Sequence, residues 1–481
     1  MSERRNLKIL RNALLGTLAS LLVAGGTGGA TALTLAEAAK VAIESNPEIG
    51  QAAENREAIE FELRQALGLY LPRVDLEASV GVEFLNNPSR RAGGIADDPL
   101  YPSQIGLTAS YDLFDGGFRQ AEANRQAARV DGASFRVIER SEFITLQITR
   151  LYFEIVLQQR IIDLSRQNVA FHETTLESVA AALGSGTLTE ADRQQALERL
   201  NAARARVTEA NEELEAAKIE FYKYVGLPFA DPKLPGRIGA ALPDSLDEAI
   251  AAGRINNPRV LLSGADIDAA AAVVEESRSG QLPKLTLEGR ANTGWEVGGV
   301  NDATTDIQGR LVFRMNIFDG GIKSAEVQEN MRRESEAILA LSQVHREVEE
   351  AVRISWSRMQ RQAELAGAYQ QQLDASAGLV SSYQDQFDVG QRSLLDVLDA
   401  QNTRYNAQVL FETAQFSVRF AEYRLMAACG LLLRHLRLDA PAQADAYARG
   451  RLGSPSHAEA EPGVRRPVEL SSPFDLTRFV N

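Results

Sequence analysis

Four stretches of the chain alternate apolar and polar residues with period two, the pattern of β-strands. In the first stretch Val74, Leu76 and Val80 share one face, while Asp75 and Glu77 share the other. Segments of about ten residues with this alternation are typical of outer-membrane strands, although a soluble antiparallel sheet shows the same pattern. The predicted strands cover residues 73–84, 104–113, 284–292 and 308–318.

Two long proline-free regions, 118–225 and 322–428, have the apolar spacing of helices. In the first region Ile144, Ile148 and Leu151 fall on one helical stripe. Each region predicts a helix of about 66 residues, a turn, and a returning helix of about 38 residues. At about 1.5 Å per residue, the longer helix would be roughly 100 Å long. The amphipathic stretch 35–71 could stack end to end with the shorter returning helix and so make a second helical column of similar length.

The chain repeats itself in order. The pair Asn46-Pro47 returns as Asn257-Pro258 at an offset of 211, and FDGG at 114–117 returns at 318–321 at an offset of 204. These landmarks predict two structural repeats, 33–228 and 244–437, joined by a linker at 229–243. Glycine permits the positive φ of turns, so glycines mark two kinds of reversal. Strand-to-helix turns are predicted at Gly116, Gly117, Gly320 and Gly321, and helix-to-helix turns at Gly186 and Gly390.

The two ends of the chain differ from the repeats. Four basic residues precede an apolar run at 13–24 and an Ala-x-Ala site at 30–32. This predicts a secretory signal peptide over residues 1–32, because the run is too short to span a membrane comfortably. The segment 438–481 is rich in proline and alanine and is predicted to be a disordered tail.

Composition narrows the function further. A formal charge of −14 without a basic stripe argues against nucleic acid as a partner. The single cysteine, Cys429, excludes an intrachain disulfide. The chain has neither a phosphate-binding loop nor a nucleophile elbow, and its histidines are scattered. We therefore expect no enzymatic activity, no cofactor and no metal site.

Strand number has a consequence for assembly. Four strands leave two unpaired edges and are too few to close a barrel, which needs about eight. If the strands enter a membrane, several chains must therefore combine them into one barrel. The alternative is a soluble sheet beside a coiled coil, as in a periplasmic adaptor or scaffold. A passive porin is disfavoured because porins lack long helices of this kind.

The duplicated landmarks, the strand pairs and the stretch VGQRSLLDVLDAQNTRYNA at 389–407 resemble the TolC-type outer-membrane efflux and secretion channels. This resemblance implies a mainly α fold with a membrane β-barrel. Three chains would form a twelve-stranded barrel in the outer membrane, continued by an α-helical tunnel through the periplasm. It also implies a homotrimer that works with a periplasmic adaptor and an inner-membrane ABC or RND transporter. The cargo would be a protein, a drug or a metal ion.

Two aspartates follow the second helical turn. Asp396 and Asp399 are three residues apart and share one face of a helix, which by itself is also typical of a solvated surface. The resemblance implies that three copies form acidic rings at a channel constriction. It also implies a charged latch between Asp192 and Arg392. Phe387 stands where the family can use a tyrosine, so the latch would have fewer hydrogen bonds.

Overall fold

The computed structural model describes residues 33–229, 233–300 and 302–456. The predicted signal peptide lies outside the described residues, and so does the 457–481 part of the predicted tail. The chain divides into two compact units. Unit 1 contains the described residues of Met1–Lys40, Ile148–Gly236 and Ser376–Glu412, and unit 2 contains those of Val41–Gln147, Arg237–Ala375 and Thr413–Asn481.

Most of the chain is helical. The helices are α1 Leu35–Ser45, α2 Pro47–Gly68, α3 Pro88–Ala92, α4 Phe118–Gly184, α5 Glu190–Val225, α6 Leu246–Asn256, α7 Pro258–Ser279, α8 Ile322–Asp388, α9 Leu394–Ala428, α10 Leu432–Leu436 and α11 Ala448–Leu452. Helices α4 and α8 each have 67 residues, and α5 and α9 have 36 and 35, so the predicted long and returning helices are confirmed. By length and hydropathy, none of the described helices is a candidate membrane span.

Each of the two repeated Asn-Pro pairs separates two consecutive helices, α1 from α2 and α6 from α7. Asn46 Oδ1 accepts a hydrogen bond from the Glu48 amide at 2.9 Å, and proline follows at the first helical position of α2. Asn257 caps α7 in the same way, through the Arg259 amide at 3.0 Å. Asparagine satisfies a free amide of the first turn, and proline has no amide to satisfy there. The stretch 35–71 is therefore not one continuous helix.

Buried apolar residues hold the helices of unit 2 together. Helices α6, α8 and α9 pack through a cluster that includes Ala249, Val348 and Val352. Cys429 is fully buried in this cluster, and its thiol donates to the Ala249 carbonyl at 3.4 Å. Burial raises the pKa of Cys429 to about 12. The only cysteine of the chain is therefore an unreactive core residue.

The strands form one antiparallel sheet in the order β1-β2-β3-β4, so β1 and β4 are its edges. They are β1 Arg73–Val80, β2 Ser103–Phe114, β3 Lys284–Trp295 and β4 Ala303–Arg314. Several predicted strand ends were wrong. The first strand ends at Val80 and not at residue 84, and the third continues to Trp295. The fourth strand, β4, begins five residues earlier than predicted and ends at Arg314. Residues 303–305 extend it by pairing with β3, where the Thr293 and Thr305 hydroxyls lie 3.1 Å apart.

The two faces of the sheet differ in chemistry. Val80 and Phe313 are 83% and 64% exposed, so apolar side chains lie uncovered along one face of this chain. On the polar face Glu288 forms ion pairs with Arg310 at 2.7 Å and Arg314 at 3.7 Å. The observed alternation therefore agrees with the predicted division into an apolar and a polar face.

The prediction of a disordered tail is wrong for residues 438–456. Within unit 2, Arg449 of α11 forms ion pairs with Asp131 and Asp268, whose side chains are almost completely buried. The Ala448 amide also donates to Asp131 Oδ1 at 2.8 Å. Further toward the N-terminus, Gln443 Nε2 donates to Glu57 at 2.7 Å. Proline and alanine did suggest disorder, but these charged and polar contacts order the segment.

Candidate channel constriction

Each hairpin of long helices reverses at a glycine in unit 1. We refer to residues 184–199 and 388–403 as the hairpin ends. Gly186 has a φ of 81° and Gly390 a φ of 75°, the left-handed conformation in which glycine avoids a steric cost. The Thr187 amide donates to the Ala182 carbonyl at 3.0 Å, which closes the first turn. The structure thus places both predicted turn glycines at these reversals.

Asp192 caps its own helix. The Thr189 hydroxyl donates to Asp192 Oδ2 at 2.7 Å and the Thr189 amide donates to the same oxygen at 2.8 Å. The Asp192 amide donates back to the Thr189 hydroxyl, which completes a capping box at the start of α5. Both hydrogen bonds lower the pKa of Asp192, and the bond from the hydroxyl has the larger effect.

Asp396 has the same position in the second repeat. The Ser393 hydroxyl donates to Asp396 Oδ2 at 2.8 Å, and the Asp396 amide donates to the Ser393 hydroxyl at 3.2 Å. Asp192 and Asp396 are 204 residues apart, the offset of the duplication. Both predicted site aspartates therefore have a local structural role, and the carboxylate of Asp396 keeps 44% side-chain exposure.

Asp399 is held by a different group. Arg199 of α5 donates from Nη2 to Asp399 Oδ1 at 3.0 Å, although the Asp399 side chain is 57% exposed. Asp399 follows Asp396 by three residues in α9, so the predicted common face is consistent with the helix. The two carboxylates differ in that Asp399 alone has a cation from another helix at hydrogen-bond distance among the described residues.

Arg392 has three partners near the second turn. Its Nε donates to Gln386 Oε1 at 3.0 Å, and its guanidinium lies 4.2 Å from the centre of the Tyr383 ring. A third, longer contact of 3.9 Å joins it to Asp396. The structure of the single chain does not bring Arg392 to Asp192, so the latch between them remains a prediction that requires a neighbouring copy.

Phe387 lies on α8, one residue before the second hairpin end, and contributes to the apolar packing there. It packs against a buried cluster on α4, α5 and α9 that contains Val179, Ala196, Leu394 and Leu398. Leu398 is completely buried. Phe387 therefore contributes packing, and the aromatic partner of Arg392 is Tyr383, one helical turn earlier.

Sequence reasoning missed a row of buried polar contacts between α4 and α9. The hydroxyls of Ser165 and Tyr405 lie 2.8 Å apart, and Gln401 Nε2 donates to Asn168 Oδ1 at 3.0 Å. His172 lies one helical turn after Asn168 on α4 and is 3% exposed, and its burial together with the nearby Arg199 lowers its pKa. Buried polar pairs of this kind fix the register between helices.

The four glycines of the strand-to-helix turns all have positive φ. In the first turn the Gly117 amide and the Arg119 amide both donate to the Asp115 carboxylate at 3.1 Å. In the second turn the Gly321 amide donates to Asp319 at 2.9 Å. A Cβ on Gly116 would lie 2.8 Å from the Ser279 carbonyl, so only glycine fits there. The repeated FDGG phrase therefore caps the long helices α4 and α8. Among residues 33–229, 233–300 and 302–456, no group of three or more His, Cys, Asp or Glu residues is arranged to hold a metal ion.

Comparison with known proteins decides the family. The sequence profile of the outer membrane efflux protein family matches residues 38–227 and 250–431, which is more than half of the chain. The chain belongs to the outer membrane efflux protein family. It is 27% identical over 350 residues to the outer membrane efflux protein BepC of Brucella suis, covering 70% of this chain and 74% of BepC. It is 26% identical over 416 residues to the alkaline protease secretion protein AprF of Pseudomonas aeruginosa, covering 84% and 85%.

Solved structures show the same fold. The outer membrane channel CmeC of Campylobacter jejuni superposes with a TM-score of 0.73 at 17% identity, covering 87% of this chain and 89% of CmeC. As a member of this family the protein is an exit duct in the outer membrane that extends into the periplasm. The channel prediction is confirmed, and the alternatives of an adaptor, a scaffold or a porin are not supported.

Proposed function

We propose that three copies of this chain form a passive duct without catalytic activity. The duct receives its cargo from an inner-membrane ABC or RND transporter through a periplasmic adaptor, and the energy for export comes from that transporter. Twelve strands, four from each copy, close a barrel in outer-membrane lipid. The long helices continue it as a periplasmic tunnel.

One observation supports the assembly of three chains into one barrel. The sheet ends in two unpaired edges, β1 and β4, and its apolar face is exposed in the single chain. Unpaired edges and an uncovered apolar face are unfavourable in isolation, and closure removes both edges. The expected result of light scattering in detergent is the mass of three chains. A monomer at micromolar concentration would contradict the proposal.

We place the constriction at the hairpin ends of unit 1. In a threefold assembly Asp396 and Asp399 would form two acidic rings, and rings of carboxylates favour cations. Arg392 and Asp192 would meet between copies as a latch, because neither finds the other within one chain.

Planar-bilayer recordings test this placement. Asp396→Asn keeps an oxygen for Ser393 and removes the charge, so it separates charge from helix capping better than alanine does. We expect Asp396→Asn to lower the cation preference and block by multivalent cations, and Arg392→Ser to raise the single-channel conductance. Unchanged selectivity, block and conductance in these variants would place the constriction elsewhere.

A further inference from the structure

A salt bridge connects the two return helices of the hairpin ends. Arg199 lies on α5 of the first repeat and Asp399 on α9 of the second, with Nη2 and Oδ1 3.0 Å apart. We propose that Arg199 is a gating and selectivity residue of the constriction, and that it acts through this pair with Asp399. The inference rests on the proposed function, because it requires the hairpin ends to form the narrow part of the duct.

The pair lies where the two helices are already in contact. Ala196 of α5, three residues before Arg199, is 1% exposed and belongs to the same buried cluster as Leu398, the residue next to Asp399. The ion pair thus lies beside an apolar contact, and the Arg199 side chain is only 32% exposed. Opening of the hairpin ends that separates α5 from α9 must break this ion pair.

The pair also changes the charge of the proposed rings. Asp399 has a countercharge from Arg199 at hydrogen-bond distance, which Arg199 shares with its neighbour Glu198 at 3.5 Å, whereas Asp396 has only the 3.9 Å contact with Arg392. In a threefold assembly the ring of Asp399 would therefore be partly neutralised, and the ring of Asp396 would carry more of the negative potential. Removing Arg199 exposes a second ring of charge, and removing Asp399 leaves Arg199 with only Glu198 of its own helix as a carboxylate partner.

These two substitutions have a joint signature. Both break the pair and should raise the open-channel population, since an exposed ion pair corresponds to about a two- to fivefold change in an equilibrium constant. Their effects on selectivity are opposite. Arg199→Gln should raise the cation preference, and Asp399→Asn should lower it. A residue that only supports folding would not produce opposite shifts in selectivity.

The experiment measures mean conductance and the cation-to-anion permeability ratio of the full-length protein in planar bilayers. Arg206→Gln is the matched control, because Arg206 also lies on α5 but pairs with Glu209 of the same helix at 2.7 Å. The charge-swap variant, Arg199→Asp with Asp399→Arg, should return the conductance to the wild-type value. We expect Arg206→Gln to match wild type in both quantities.

The outcomes separate this inference from the proposed function. Wild-type conductance and selectivity in Arg199→Gln, together with altered selectivity in Asp396→Asn, would overturn the role of Arg199 alone. A charge swap that stays as conductive as the single variants would overturn the pairing. Unchanged selectivity and block in Asp396→Asn, together with unchanged conductance in Arg392→Ser, would instead refute the constriction itself, and the role of Arg199 with it.

Discussion

Glu142 should make the stability of unit 2 depend on pH near neutrality. This residue of α4 is 7% exposed, and its Oε1 accepts a hydrogen bond from the Leu433 amide at 3.2 Å. Its Oε2 is buried without a hydrogen-bond partner among the described residues. Burial is the dominant effect and raises the pKa of Glu142 to about 7, although the Leu433 and Leu432 amides oppose the shift. Glu139, Arg259 and Arg424 line the same pocket.

The sign follows from proton binding. Between pH 4.5 and about 7 the folded protein keeps the proton on Glu142 and the unfolded chain releases it. Stability contributed by this group is therefore full below pH 4.5 and is lost as the pH rises through the folded pKa. From pH 5 to pH 8 the loss is at most about 2.5 kcal/mol per chain, at about 1.4 kcal/mol for each unit of pKa difference.

Glu142→Gln removes the ionisation and keeps an acceptor for Leu433. We expect the variant to lose less stability than wild type between pH 5 and pH 8, by up to about 2.5 kcal/mol. Thermal unfolding of the helical signal, followed by circular dichroism in detergent at pH 5, 6, 7 and 8, measures the difference. Glu139→Gln, on the same helix, is the control and should follow wild type. Parallel pH profiles for Glu142→Gln and wild type would refute the reasoning.

Two further predictions concern the tail and the sheet. Arg449→Ala leaves the buried Asp131 and Asp268 without their arginine, so thermal unfolding should show a destabilisation of about 3–5 kcal/mol. The control is Arg451→Ala, a substitution of an exposed arginine on the same helix, whose stability should stay within about 0.5 kcal/mol of wild type. In the proposed barrel the apolar face of the sheet contacts lipid. Val80→Arg places a charge on this face at a cost of about 2–4 kcal/mol and should reduce the trimer recovered from outer membranes far more than Glu77→Arg does. Similar yields from those two variants would contradict the assignment of the faces.

The elements of the fold could be predicted because their signals are local. Helix α4 shows its buried stripe at Ile144, Ile148 and Leu151, and all three are at most 1% exposed. Strand ends were less predictable, because the end of a strand depends on its neighbour. Residues 303–305 extend β4 by pairing with β3, a contact that their own alternation does not reveal.

The C-terminal segment shows where composition misleads. Its alanine and proline content resembles that of disordered chains, yet Arg449 finds Asp131 more than 300 residues earlier in the sequence. Gln443 contacts Glu57, and Arg449 contacts Asp268. Asp268 lies 211 residues after Glu57, so these two acidic residues occupy matching positions in the two repeats. Long-range partners of this kind decide whether a segment is ordered, and local composition does not report them.

The candidate site also combines features that the sequence predicts with features that it does not predict. The spacing Thr189-x-x-Asp192 and its counterpart Ser393-x-x-Asp396 is a recognisable capping signal, so the local role of both aspartates could have been read from the sequence. The partner of Asp399 could not. The residue that matches Asp399 in the first repeat is Gln195, and the residue that matches Arg199 in the second is Thr403. The duplication alone predicts no ion pair at these positions, because each repeat holds only one of the two charges. The pair exists because α5 and α9 pack together, and that packing is what the three-dimensional structure adds to the sequence.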